Sequence, residues 1–93
     1  MDRRIIKLSI RVARNSNRQL LYYERITPVP NIHGTLPPVG RMPINGDYIY
    51  SMTLETVDQL LHFYEIAPST EELDLNRKIS RLCSHWGFHY SAS

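Results

Sequence analysis

The sequence predicts a small α+β fold: an N-terminal β-hairpin and a third short strand form an antiparallel sheet, and a C-terminal helix pair packs on one face. Three observations predict it. Residues 5–13 alternate in hydropathy. A second β-rich run, Leu20, Leu21, Tyr22, Tyr23 and Ile26, follows a cluster of turn-forming residues. Apolar residues then return at helical spacing beyond residue 53. With 93 residues, 42% of them hydrophobic and 22% charged, the chain has the size and composition of one ordinary globular domain, residues 1–93.

The hairpin occupies residues 1–27. Ile6, Leu8, Ile10 and Val12 point to one side and Lys7, Ser9 and Arg11 to the other, as on a half-buried strand. Asn15-Ser16-Asn17 tolerates a tight turn. A three-residue loop pairs Val12 with Leu20, Ile10 with Tyr22 and Ile6 with Ile26, which gathers apolar partners on one face. The same register sets Leu8 against Glu24, which opposes it.

Residues 28–46 form a Pro/Gly-rich loop. Five of the six prolines (Pro28, Pro30, Pro37, Pro38, Pro43) and three of the four glycines (Gly34, Gly40, Gly46) lie here, and proline removes ladder donors. Asn45-Gly46 signals a tight turn ahead of a third strand over residues 47–51. Thr53 then caps a helix over residues 53–66 with Leu54, Val57, Leu60, Leu61 and Tyr64 as its apolar stripe, stopped by Pro68. Ser69-Thr70-Glu71-Glu72 reads as the capping box of a second helix over residues 70–86. Leu75, Ile79, Leu82, Cys83 and Trp86 share one side of that helix. Gly87 ends it in the left-handed region, with Phe88 folding back. No internal repeat or low-complexity tract is evident.

Charge is unevenly distributed. Residues 1–25 carry Arg3, Arg4, Lys7, Arg11, Arg14, Arg18 and Arg25 against Asp2 and Glu24. Residues 51–93 carry six acidic residues against Arg77, Lys78 and Arg81. Such a dipolar chain steers toward charged partners. One cysteine, Cys83, excludes an internal disulfide. No apolar run approaches the ~20 residues of a membrane span, and residues 1–4 do not open a signal peptide. A reducing cytoplasmic setting is expected.

The chemistry-bearing motifs are sparse. Cys83, His85 and His89, with His62 and His33 elsewhere, do not match a zinc-ligand spacing, so no metal and no cofactor is expected. Glu71, Glu72 and Asp74, like Glu55 and Asp58, sit where carboxylates favour a helix N-terminus rather than where they would form an acid–base pair. Phosphate-loop, nucleophile-elbow and EF-hand patterns are absent, and the chain is expected not to be an enzyme. Residues 53–87 resemble a helix-turn-helix only in outline, since the first turn of the second helix is acidic where a recognition helix meets phosphates.

The expected function is therefore a non-enzymatic interaction protein, an inhibitor or regulator of the kind phages and mobile elements encode. It docks a basic hairpin face and the Pro-rich loop onto a larger protein or nucleoprotein complex. Lys7, Arg11, Tyr23, Arg25, Leu36 and Arg41 are its candidate contacts. The alternative is a nucleic-acid-binding regulator that uses the same basic hairpin, in which cations neutralise phosphates and an aromatic ring stacks on a base. The structural explanations are a solvated strand face and a loop anchored on its own core by Ile32, Leu36, Val39, Met42 and Ile44. Exposed sheet edges would also suit a homodimer. No membrane partner is expected.

Overall fold

The computed structural model describes residues 2–66 and 74–90, and over these the protein is helical, with no strand. Four helices follow in order: α1 (Arg3–Arg18), the single turn α2 (Gly46–Ile49), α3 (Leu54–Phe63) and α4 (Leu75–Trp86). The α+β expectation is overturned, and both the hairpin and the third strand are corrected.

Two choices of apolar set were open at the N-terminus, and the 3.6-residue period wins. Ile6, Ile10, Ala13 and Asn17 are spaced i, i+4, i+7 and i+11, which places them on one side of a helix. Ile6, Ala13 and Asn17 are buried, and Ile10 packs partly buried against the core. Leu8 and Val12, which the strand would have buried beside Ile6, are instead 58% and 60% exposed. Ile5 already breaks strict alternation. Asp2 starts the helix: its carboxylate accepts from the Arg4 N–H at 2.9 Å. Residues 20–26 offer no ladder; they make a turn followed by irregular chain.

The third strand fails for a related reason. Asn45 does not serve a hairpin turn but caps α2, its Oδ1 accepting from the N–H groups of Asp47 and Tyr48. Gly46 lies directly beneath the rings of Tyr22 and Phe88, closer than any Cβ would allow. Its N–H donates to the Tyr22 carbonyl at 2.8 Å, and the Ile26 N–H donates to the Ile44 carbonyl at 2.8 Å. These two bonds fasten the ends of the long loop together.

That loop contributes to the core, but of the five residues expected to anchor it only Met42 does so. Ile26, Val29, Pro30 and Pro43 are buried and Met42 packs against the core. Ile32, Leu36, Val39 and Ile44 stay exposed. Asn31 folds the loop tip: its Oδ1 accepts from the N–H groups of His33 and Thr35.

The C-terminal helices pack against each other over Val57, Leu60, Leu61, Ile79, Leu82, Cys83 and Trp86. Thr53 caps α3, accepting from the Thr56 N–H; Leu54, expected on its apolar stripe, is exposed. The expected Pro68 stop and the Ser69–Glu72 capping box lie outside the described residues. Asp74 is the N-cap of α4, accepting from the Arg77 N–H at 2.8 Å. Gly87, at φ 80°, closes α4, and the Phe88 N–H returns to the Cys83 carbonyl.

One buried polar residue joins the layers. Asn17 is fully buried, and its side chain makes three hydrogen bonds. Nδ2 donates to the carbonyls of Thr27 and Trp86, each at 2.9 Å, and Oδ1 accepts from the Thr27 N–H at 2.7 Å. The C-terminal end of α1 is thereby fixed to the loop and to α4 at once.

Candidate docking surface

At 100° per residue, α1 presents three stripes. The first is the buried seam just described. The second is basic: Arg4, Lys7, Arg11, Arg14 and Arg18, spaced i, i+3, i+7, i+10 and i+14, run along one side for about 21 Å. The third is apolar and faces away from the protein body. It contains Ile5, Leu8 and Val12, each more than half exposed, and continues through exposed Asn15 and Gln19.

The basic stripe is poorly neutralised. Among the described residues Arg4 approaches Asp2 at 3.8 Å, while Lys7, Arg11, Arg14 and Arg18 meet no carboxylate. Arg14 is half-buried. Its Nη2 donates to the Ser84 carbonyl at 3.4 Å, and its Nε is buried with no acceptor among the described residues. Lys7, Arg11, Arg14, Asn15 and Arg18 line a shallow groove with Ile10. Acidic side chains elsewhere are engaged: Asp58 of α3 is paired with Lys78 at 2.8 Å, and Glu65, just past α3, with His33 at 2.9 Å.

The six candidate contacts do not form one surface. Lys7 and Arg11 lie on α1 in the groove above. Arg25 and Leu36 line a different groove of about 460 Å³ with Pro37, Pro38 and Ile44, and the two grooves share no residue. Tyr23 projects from the turn after α1, 70% exposed. Arg41 donates to the Gln59 side chain of α3. A hairpin would have set Lys7, Ser9 and Arg11 opposite Arg25, Tyr23 and Leu21 on one face; the helix separates them. It recruits Arg4, Arg14 and Arg18 instead, which the strand reading had left off the outward basic face. Their three- and four-residue spacing was the available signal.

The histidine and cysteine groups are likewise dispersed. Cys83 is buried, and burial pushes its thiol up to about 12, out of the range of a nucleophile. Among the described residues no group of three or more His, Cys, Asp or Glu side chains converges as a metal site would require. His33 is engaged by Glu65, and His62 and His89 are exposed.

His85 packs against Tyr64, ring centroids 4.7 Å apart. Burial lowers its pKa, and the nearby Arg14 adds to the effect. With the folded-state pKa depressed, the unfolded chain takes up the proton first as pH falls below the ordinary histidine value of ~6.5. Stability is thus whole above that pH and declines as pH drops from it toward the folded pKa. Urea unfolding at pH 7.5 and 5.5 should show this decline, and His85→Gln should flatten it.

No described helix is long and apolar enough to cross a membrane. No family model, curated protein or solved structure matches the chain.

Proposed function

We propose that this is a non-enzymatic interaction protein that docks the outward side of α1 onto an acidic, partly apolar protein surface and thereby alters that partner's activity. The observation that carries it is the placement of exposed Ile5, Leu8 and Val12 beside Lys7, Arg11 and Arg18, cations that meet no carboxylate among the described residues. Cations alone would serve a nucleic-acid backbone equally well. Three large apolar side chains add nothing to phosphate contact but supply the desolvated centre of a protein interface. The lone, buried Cys83 suits a reducing compartment.

Affinity capture with two variants and a nuclease arm tests this. Leu8→Asp and the pair Lys7→Glu, Arg11→Glu should each reduce recovery of the bound species at least tenfold, roughly 1.4 kcal/mol or more. Nuclease treatment should not change it. All these positions are exposed, so far-UV circular dichroism should match the parent. Capture that disappears with nuclease and survives Leu8→Asp would transfer the function to nucleic acid.

A further inference from the structure

Two successive heptads of α1 correspond in residue type, a likeness too short to stand out along the chain that its helical form makes meaningful. Ile5-Ile6-Lys7-Leu8-Ser9-Ile10-Arg11 is followed by Val12-Ala13-Arg14-Asn15-Ser16-Asn17-Arg18. Position for position, apolar matches apolar at the first two places, Lys matches Arg at the third, Ser matches Ser at the fifth and Arg matches Arg at the seventh. A seven-residue period on a helix is the register of a coiled coil. With Ile5 at position a, the seam positions a and d are Ile5, Leu8, Val12, Asn15 and, just past the helix end, Gln19. These are the outward stripe. The buried residues Ile6, Ile10, Ala13 and Asn17 fall at b and f, on the opposite side. The protein body and a partner helix would therefore grip α1 from opposite sides without competing.

We infer that α1 is a preformed half of a short coiled coil and that its partner is an acidic amphipathic helix. This rests on the docking function proposed above and names the partner's chemistry. The flanking positions decide the sign. Arg4, Arg11 and Arg18 all occupy position g, and Ser9 and Ser16 occupy position e. Residues at e and g set partner choice by charge across the seam. A second copy of this chain supplies no complement: antiparallel pairing opposes Arg to Arg, and parallel pairing opposes Arg to Ser. A helix with Glu at the facing positions neutralises all three arginines. Asn15, buried by such a partner, requires a hydrogen-bonding residue opposite and so fixes the register. Because α1 is already folded, the partner alone bears the cost of becoming helical.

Synthetic peptides against the whole chain test this by fluorescence anisotropy and circular dichroism. The probe is a three-heptad peptide with Ile and Leu at a and d and Glu at e and g. One control has the same composition in scrambled order, and another has Lys at e and g. The Glu peptide should bind at least tenfold tighter than either control and gain helicity on binding. Leu8→Asp should weaken it tenfold or more. Arg11→Glu with Arg18→Glu should reverse the preference toward the Lys peptide. Equal binding of the scrambled peptide would overturn the coiled-coil register while leaving an acidic docking surface in place. Failure of the Glu peptide to bind, or sedimentation showing a dimer that Leu8→Asp dissolves, would overturn it too. Loss of the captured species to nuclease is the separate result that removes the docking function itself.

Discussion

Asn17→Ala is expected to remove roughly 3–5 kcal/mol of stability, a large part of the ~5–15 kcal/mol typical of a domain this size. The substitution deletes three hydrogen bonds and leaves three main-chain groups, the Thr27 N–H, the Thr27 carbonyl and the Trp86 carbonyl, without their partner. Each unpaired group costs about 1–3 kcal/mol according to its burial. The Thr27 groups are partly buried and belong at the lower end; the Trp86 carbonyl is buried. For a chain this long the melting temperature should fall by about 15 °C or more. Asn17→Asp should be at least as damaging near neutral pH, because a carboxylate oxygen would face two carbonyl oxygens where an amide N–H₂ now donates. Thermal unfolding followed by circular dichroism measures both. A loss below ~1 kcal/mol for the alanine variant would mean that water takes over the three bonds and that α1 is held mainly by its apolar side chains.

Gly87→Ala should cost roughly 3 kcal/mol, and Gly40→Ala only about 1 kcal/mol, although the two glycines have nearly the same positive φ. Their φ angles are 80° and 83°. The left-handed region penalises any Cβ by ~1–2 kcal/mol, and both variants incur that. The difference lies in the surroundings. A Cβ on Gly40 meets nothing within 4 Å, whereas one on Gly87 would sit 2.4 Å from the Arg14 carbonyl oxygen. That atom is helix backbone and cannot swing aside, so α1 must shift away from α4, an overpacking cost of ~1–3 kcal/mol. Equilibrium urea unfolding of the two variants provides a matched comparison. Equal losses would show that the α1–α4 approach is soft and that backbone conformation alone sets the requirement for glycine.

The C-terminal half was more legible than the N-terminal half, for reasons visible in particular residues. Thr53 and Gly87 are local signals: each acts through atoms a few residues away, so the chain alone reveals them. The spacing of Val57, Leu60, Leu61 and Tyr64 suits only a helix. The spacing of Ile6, Leu8, Ile10 and Val12 suits a strand, yet Ile6, Ile10 and Ala13 suit a helix equally well, and the β-branched content tilted the balance toward the strand. Tertiary contact decided between them. Asn17 looked like a turn residue because its side chain commonly competes for local backbone; here it bonds to residues 10 and 69 positions away. Asn45-Gly46 misled in the same way, since a cap and a tight turn draw on the same residue types. The candidate site suffered in consequence. Lys7 and Arg11 keep their place on an exposed face, but a strand groups them with Arg25 and Tyr23, and only a helix groups them with Arg4, Arg14 and Arg18.

The contact of the Asn17 amide with the Trp86 carbonyl has a consequence for when the molecule becomes competent. A lone sixteen-residue segment in water is a marginal helix. Its clamp draws on main-chain groups at positions 27 and 86, and its close neighbour is Gly87. A nascent chain therefore carries the basic segment well before position 86 has been made, and stiffens it only once that position has emerged. Truncated products would retain the arginines without the rigid ruler that spaces them, and so would be poor competitors for whatever the finished protein grips.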